Sequence, residues 1–267
     1  MGRIGLAYRA DFGSWIRSKP GCFDFLELRG AEFGTNGAHR FQRIAERHPV
    51  AIAGGLLSLG TPGHLREDDL TWLAETAALA RPRWLSEPVG FWRTAEVELT
   101  GFCPVRPDRA SLDVVAGHAR ETARRLGRPL LLENVAAPLG IPGPMAESAF
   151  LDRVADEAGC ALLVDLAALL AQSRTHGFDA VAWLHDLAPE RIAAVRVGAP
   201  VLHRGHWRSS GGSCIEEEVW AIAREALAHG RPRAAILAYD DKIPRPTQLG
   251  EELGQLRSLM NEIGIAG

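Results

Sequence analysis

The stretch GRPLLLENVAAPLG, residues 127–140, climbs through three leucines into Glu133 and Asn134, and CALLVDLAALL, residues 160–170, does the same into Asp165. Short apolar runs of this kind, bounded by glycine, proline or polar residues, read as strands buried on both faces, as in a parallel sheet covered by helices. RIGLAYR, FDFLELRG, VAIAGGLLS, RWLSEPVGF, AAVRVGA and AAILAYD have the same character and bring the strands to eight. Between them lie helical patterns around residues 39–48, 67–81, 109–126, 146–158, 178–187, 215–229 and 247–263. In REDDLTWLAETAALAR, for example, Leu70, Leu73, Ala77 and Ala80 recur at helical spacing behind an acidic start. SLDVVAGHARETARRLGRP ends on basic residues, Gly127 and then Pro129, which marks a helix stop. Strands alternating with helices from end to end predict an α/β fold, a closed (β/α)8 TIM barrel. The alternative is an open doubly wound sheet, but GLAYRADFGSW after the first strand carries no G-x-G-x-x-G phosphate turn. No linker, low-complexity segment or internal repeat divides the chain, so a single domain over residues 1–267 is expected.

Composition narrows the function. The chain is 46% hydrophobic and 24% charged with a net charge of −3, enough for a sizeable core and without the basic excess of a nucleic-acid-binding protein. Cys22, Cys103, Cys160 and Cys214 are scattered with no C-x-x-C pair, which suits a reducing compartment. The N-terminus lacks an apolar stretch of signal-peptide length, and no run approaches the roughly 18 apolar residues of a membrane span. A cytoplasmic protein with neither nucleic acid nor membrane as partner is expected.

Barrel active sites form at the C-terminal ends of the strands. That rule picks out Glu27 and Arg29 on strand two, Glu87 on strand four, Glu133 and Asn134 on strand five, Asp165 on strand six, Arg196 on strand seven, and Tyr239 and Asp240 on strand eight. Any one of these could be a surface residue just past its strand; several converging on one mouth are harder to explain that way. Carboxylates as close as Glu133 and Asp165 should be repel each other unless a cation joins them. A metal would draw further ligands from strands seven and eight, yet these offer Arg196 and Ala238.

The segments GLLSLG, LSEPVGFW, RPLLLENV, LLVDLAALLAQSRTHGFD and ILAYD, in this order and spacing, resemble the multinuclear non-haem iron-dependent oxidative enzymes. These are methanobactin-oxidase-like enzymes that modify ribosomally made peptides on a xylose-isomerase-like barrel. The resemblance covers nearly the whole chain and implies a peptide substrate, or a partner protein of a peptide-modification pathway. It also exposes departures. The family's S-E-H on strand four reads Ser86-Glu87-Pro88, the strand-three histidine is Ala53, and E-N is kept as Glu133-Asn134. D-x-N keeps Asp165 but has Ala167, the strand-seven histidine is Arg196, a D-x-H falls in RSSGGSC, and the last-strand glutamate is Ala238. Two carboxylates cannot hold two or three irons, so no metal and no other cofactor is expected. Arg196 reads as a counter-charge where metal would stand, because a guanidinium stays protonated and its planar fork can bridge two carboxylates. Alternatively Glu133 keeps a raised pKa and works as an acid or base.

Glu133, Asp165 and Arg196, with Glu87 and Asn134 beside them, are therefore the expected centre. HRGHWRSSGGSC, residues 203–214, offers loop amides for an anion helped by Arg204 or Arg208, although Glu216 to Glu218 at the next helix start would oppose one. The bland reading is a flexible loop. His203 and His206 would ligate a metal only if this loop formed a helical turn. His203, His206, Arg208 and Ser210, with Trp92, Tyr239 and Asp240 at the mouth, are the candidate substrate contacts; core packing is the competing role for Trp92 and Phe91. His176 matches a family motif, but helix-start architecture before FDAVAWLHDLAPE accounts for it. A second function class also fits: an isomerase-like or epimerase-like enzyme of a small anionic substrate, using one divalent metal or carboxylate acid–base chemistry.

Overall fold

The fold comes from a computed structural model that describes residues 2–30, 38–94 and 96–264. Its strands are β1 (Arg3–Ala7), β2 (Phe25–Arg29), β3 (Val50–Ala53), β4 (Leu85–Pro88), β5 (Phe91–Arg93), β6 (Glu98–Cys103), β7 (Leu130–Glu133), β8 (Ala161–Asp165), β9 (Ile192–Gly198), β10 (Val201–His203), β11 (His206–Arg208) and β12 (Ala234–Ala238). Eight of them close a parallel barrel in the order β1, β12, β9, β8, β7, β4, β3, β2. Each of the eight apolar runs supplies one barrel strand, and β7 and β12 are buried at every residue. The helices are α1 (Gly13–Ser18), α2 (Ala38–Ala45), α3 (Glu67–Ala80), α4 (Arg109–Leu126), α5 (Glu147–Ala158), α6 (Leu166–His176), α7 (Ala180–His185), α8 (Glu217–Gly230) and α9 (Pro246–Glu262). No described helix is long and apolar enough to cross a membrane. The chain divides into two compact units, residues 1–27 with 163–267, and residues 28–162.

Local chemistry accounts for the element ends. Asp108 caps α4 by accepting the Ser111 N–H at 2.9 Å, and Gly127 ends it in the left-handed region at φ 59°, as the glycine–proline signal predicts. Helix α6 is absent from the expected helices because LAALLAQ has no polar face to give it a period. Its residues from Leu166 to Gln172 are all buried, and it begins directly at the end of β8. His176 closes α6 rather than opening the next helix; Asp179 caps α7, accepting the Val181 and Ala182 N–H groups at 2.8 and 3.0 Å. Two antiparallel hairpins, β5–β6 and β10–β11, stand outside the barrel sheet and replace stretches expected as loop. The second turns through Arg204 and Gly205, both with positive φ (49° and 83°), the paired left-handed conformation that two-residue hairpin turns require.

Within the unit formed by both chain ends, one close approach shapes the barrel interior. Gly5 pairs with Phe25 across β1 and β2, and a Cβ on Gly5 would lie 2.3 Å from the Phe25 ring. The ring fills the space that a side chain at position 5 would need, and Phe25 is wholly buried. Gly5→Ala should destabilise the protein by about 1–3 kcal/mol through overpacking. Gly5→Ala combined with Phe25→Leu should recover much of that loss in thermal melts. Equal destabilisation by the single and double variants would contradict this packing.

Candidate functional site

Arg196 lies near the end of β9, in register with Ile236 of β12. Its guanidinium reaches past β12 and β1 to Glu27 on β2, a path that runs through the barrel interior. Nε donates to Glu27 Oε2 at 3.1 Å and Nη2 to Oε1 at 2.7 Å, a two-point pairing of planar groups. Nη1 donates to Asp165 Oδ2 at 3.2 Å, while Asp165 Oδ1 accepts the Ala168 N–H at 2.8 Å and caps α6. The side chains are 9%, 1% and 15% exposed for Arg196, Glu27 and Asp165, so water screens this triad little. Around it the chain is small: a Cβ on Gly198 would come within 3.3 Å of the Ala167 Cβ and 3.4 Å of the Ala238 carbonyl oxygen.

Glu87, at the end of β4 in the other unit, is wholly buried. Its Oε2 accepts the Leu57 N–H at 3.4 Å, and Oε1 has no hydrogen-bond partner among the described residues. A Cβ on Gly54 would fall 1.8 Å from Oε1, so only glycine at 54 leaves room for this carboxyl. Burial pushes the Glu87 carboxyl up from the ordinary 4.5 to about 8, the Leu57 N–H works against that, and the Glu133 charge adds to it. Glu133 and Asn134, both 7% exposed, end β7 alongside.

A sequence profile described as "RiPP precursor modification enzyme MbnB/TglH/ChrH" matches residues 3–261. The chain belongs to this family. Among its relatives, a UPF0276 protein of Rhizorhabdus wittichii is 29% identical over 91% of this chain and 88% of its own length. Another, from Shewanella oneidensis, is 28% identical over 96% of this chain and 94% of its own. Solved structures share the fold at low identity. A xylose isomerase domain protein from Planctomyces limnophilus superposes with a TM-score of 0.61 at 12% identity, covering 99% of this chain and 98% of its own. Endonuclease IV from Thermus thermophilus reaches 0.60 at 18%, covering 97% and 99%.

The structure adds Glu27 to the expected centre. Asp165 and Arg196 meet, and Glu27, read only as a strand end, also pairs with Arg196. Glu133 ends β7 beside Glu87, and its charge helps push the Glu87 carboxyl up. Strand alternation could have found Glu27: it shares a face with Phe25 two residues earlier, and that face points inward. Tyr239 is 1% exposed and its hydroxyl donates to Glu252 on α9, 2.7 Å from both carboxylate oxygens. Burial first, and then the Glu252 carboxylate, hold the phenol protonated far above its usual range. Asp240 beside it is half-buried. Trp92, on β5, is half-buried with its ring 4.7 Å from the Arg93 guanidinium, and its backbone N–H donates to Ser58 Oγ.

The first half of the 203–214 segment belongs to the β10–β11 hairpin. His203 and His206 are exposed partners across its turn, so the helical turn that metal ligation would need is not formed. Arg208 lies 4.0 Å from Asp241, Ser210 is half-buried, and the Gly212 N–H is spent on the Ala199 carbonyl at 3.0 Å. Arg174 stacks on Trp207 at 4.3 Å and pairs with Glu216 and Glu218, fixing the hairpin against α6 and the start of α8.

Glu87 makes stability depend on pH. Its folded-state pKa is raised, so the stabilisation from holding the proton is full below about 4.5 and is lost as pH rises through about 8. Glu87→Gln does not titrate. Between about pH 5 and about pH 9 the parent should lose stability relative to Glu87→Gln, on the order of a few kcal/mol in denaturant melts. Parallel stability curves would show that the carboxyl is ionised at neutral pH.

Proposed function

We propose that this chain is a metal-independent member of its family: a peptide-handling barrel that serves as the non-catalytic partner of a metal-bearing homologue in the modification of a ribosomally made peptide. The observation that supports this reading is the position of the Arg196 guanidinium, hydrogen-bonded to Glu27 and Asp165 inside the barrel. A fixed cation there neutralises carboxylates that a metal ion would otherwise need to neutralise, and it repels a second cation. The residues also fit a multinuclear iron centre poorly. Where the family motifs carry histidine, asparagine or glutamate, this chain has Ala53, Pro88, Ala167, Arg196 and Ala238. Among the described residues, no group of three or more His, Cys, Asp or Glu side chains is arranged to hold a metal ion.

The peptide as substrate class comes from the family alone, whose description concerns precursor modification. A second reading has one observation in its favour. Glu87 is a buried carboxyl, neutral near pH 7, with one oxygen unpartnered among the described residues. That is the state an acid catalyst of a metal-independent enzyme needs.

Replacing Arg196 separates a lost metal site from a disguised one. Arg196→Ala leaves Glu27 and Asp165 buried without their cation, and truncating one side of a buried pair costs about 3–5 kcal/mol. A clear fall in melting temperature is expected. Manganese or iron should partly restore stability in Arg196→Ala while leaving the parent unchanged. Arg196→His should give at best weak binding of one divalent ion and no iron-dependent oxidation. An Arg196→Ala protein as stable as the parent and indifferent to metal would contradict the counter-charge reading.

A further inference from the structure

The connection from β3 to α3, residues 54–66, contains no helix or strand. Such crossings commonly take about 2–6 residues, and much longer ones are mostly binding loops or lids. Its opening residues cover the Glu87 carboxyl. A Cβ on Gly54 would fall 1.8 Å from Oε1, and the Leu57 N–H donates to Oε2 at 3.4 Å. In this arrangement Oε1 is sealed from water without a hydrogen-bond partner among the described residues.

Ser58 ends the covering stretch in an unusual conformation. It is 2% exposed and has φ 55°, a left-handed backbone that L side chains rarely adopt. The other non-glycine residues with positive φ among the described ones have ordinary reasons for it: Arg81 and Arg231 end helices, and Arg204 turns a hairpin. Ser58 does neither. Its Oγ accepts the Trp92 N–H at 2.9 Å and the Arg93 N–H at 3.4 Å, and it pairs with Thr61 Oγ1 at 2.8 Å. Thr61 in turn donates to the Arg93 carbonyl at 2.6 Å, so these two hydroxyls fasten the loop to β5. Arg93 Nη2 returns a bond to the Leu56 carbonyl at 2.7 Å. Beyond Ser58 the loop is anchored separately. The two ring nitrogens of His118 lie 2.8 and 2.9 Å from the Leu59 and Gly63 carbonyl oxygens, and the Gly60 N–H donates to Gly90 at 2.9 Å.

A rigid plug would account for the buried Leu57. It gives no reason for strain at Ser58, for two consecutive glycines at the other end, with Gly55 at φ 67°, or for an unsatisfied carboxyl oxygen underneath. We propose that residues 54–58 form a lid over Glu87, pivoting on Gly54–Gly55 and on Ser58, with the Ser58 and Thr61 hydroxyls as the latch that holds it shut on β5. Strain at Ser58 opposes closure, the latch offsets it, and their balance sets how often the lid opens. Opening uncovers Glu87 Oε1 while residues 59–63 stay on His118. The lid governs access to this carboxyl whatever chemistry the carboxyl performs.

Amide hydrogen exchange of the full chain tests the lid, with carbodiimide labelling of Glu87 as a second readout. Local opening exchanges an amide faster than global unfolding does, and independently of changes that affect only global stability. The Leu57 amide should therefore exchange faster than the β12 amides in the parent. Gly5→Ala should speed the β12 amides and leave Leu57 unchanged. Ser58→Ala should speed the Leu57 amide by about tenfold, the effect of losing the latch hydrogen bonds, and raise Glu87 labelling in proportion. Thr61→Val removes the same relay at a half-buried position and should act severalfold in the same direction, which carries the test if Ser58→Ala fails to fold. Leu57 exchanging in step with β12 in the parent and in Gly5→Ala would overturn the lid. So would latch variants that leave the Leu57 amide unchanged, or that speed it without raising Glu87 labelling.

Discussion

A buried guanidinium between two carboxylates sets the terms for the interior of this barrel. Charges out of water cost several kcal/mol each unless their partners meet them in good geometry, and removing one partner leaves the others exposed to that cost. Arg196 satisfies the condition with two bonds to Glu27 and one to Asp165. Asp165 divides its oxygens between this pairing and the cap of α6, so the ion triad and the junction of β8 with α6 are held by one side chain.

Small residues leave room for larger groups elsewhere in the barrel interior. A Cβ on Gly198, at the end of β9, would come within 3.3 Å of the Ala167 Cβ and 3.4 Å of the Ala238 carbonyl oxygen, and Gly5 admits the Phe25 ring two residues before Glu27. Gly54 does the same for Glu87. A Cβ at position 54 would displace the Glu87 carboxyl. The absence of side chains at particular points is as much a part of the barrel interior as the charged groups are.

The barrel itself was legible in the sequence because its eight strands are short apolar runs separated by amphipathic helices, and that alternation admits few folds. What escaped had physical reasons. Helix α6 lacks a polar face, so no period reveals it. The hairpins rest on short strands with turn residues that also suit loops. In the candidate site, Asp165 and Arg196 were recognisable as strand ends, but Glu27 could be matched to Arg196 only once strand order placed β2 across from β9. Tyr239 follows its strand as a mouth residue would, yet a carboxylate on α9, distant in sequence, draws it aside. Strand ends identify candidates, and pairing between distant strands decides which of them act together.

If the guanidinium stands in place of a metal, the protein should not take up metal when metal is plentiful. The most direct measurement is elemental analysis of the chain purified without chelators from cells supplied with iron and manganese. The counter-charge account predicts metal far below one equivalent per chain. Iron or manganese at more than about half an equivalent, retained through purification as a structurally held ion would be, would contradict it.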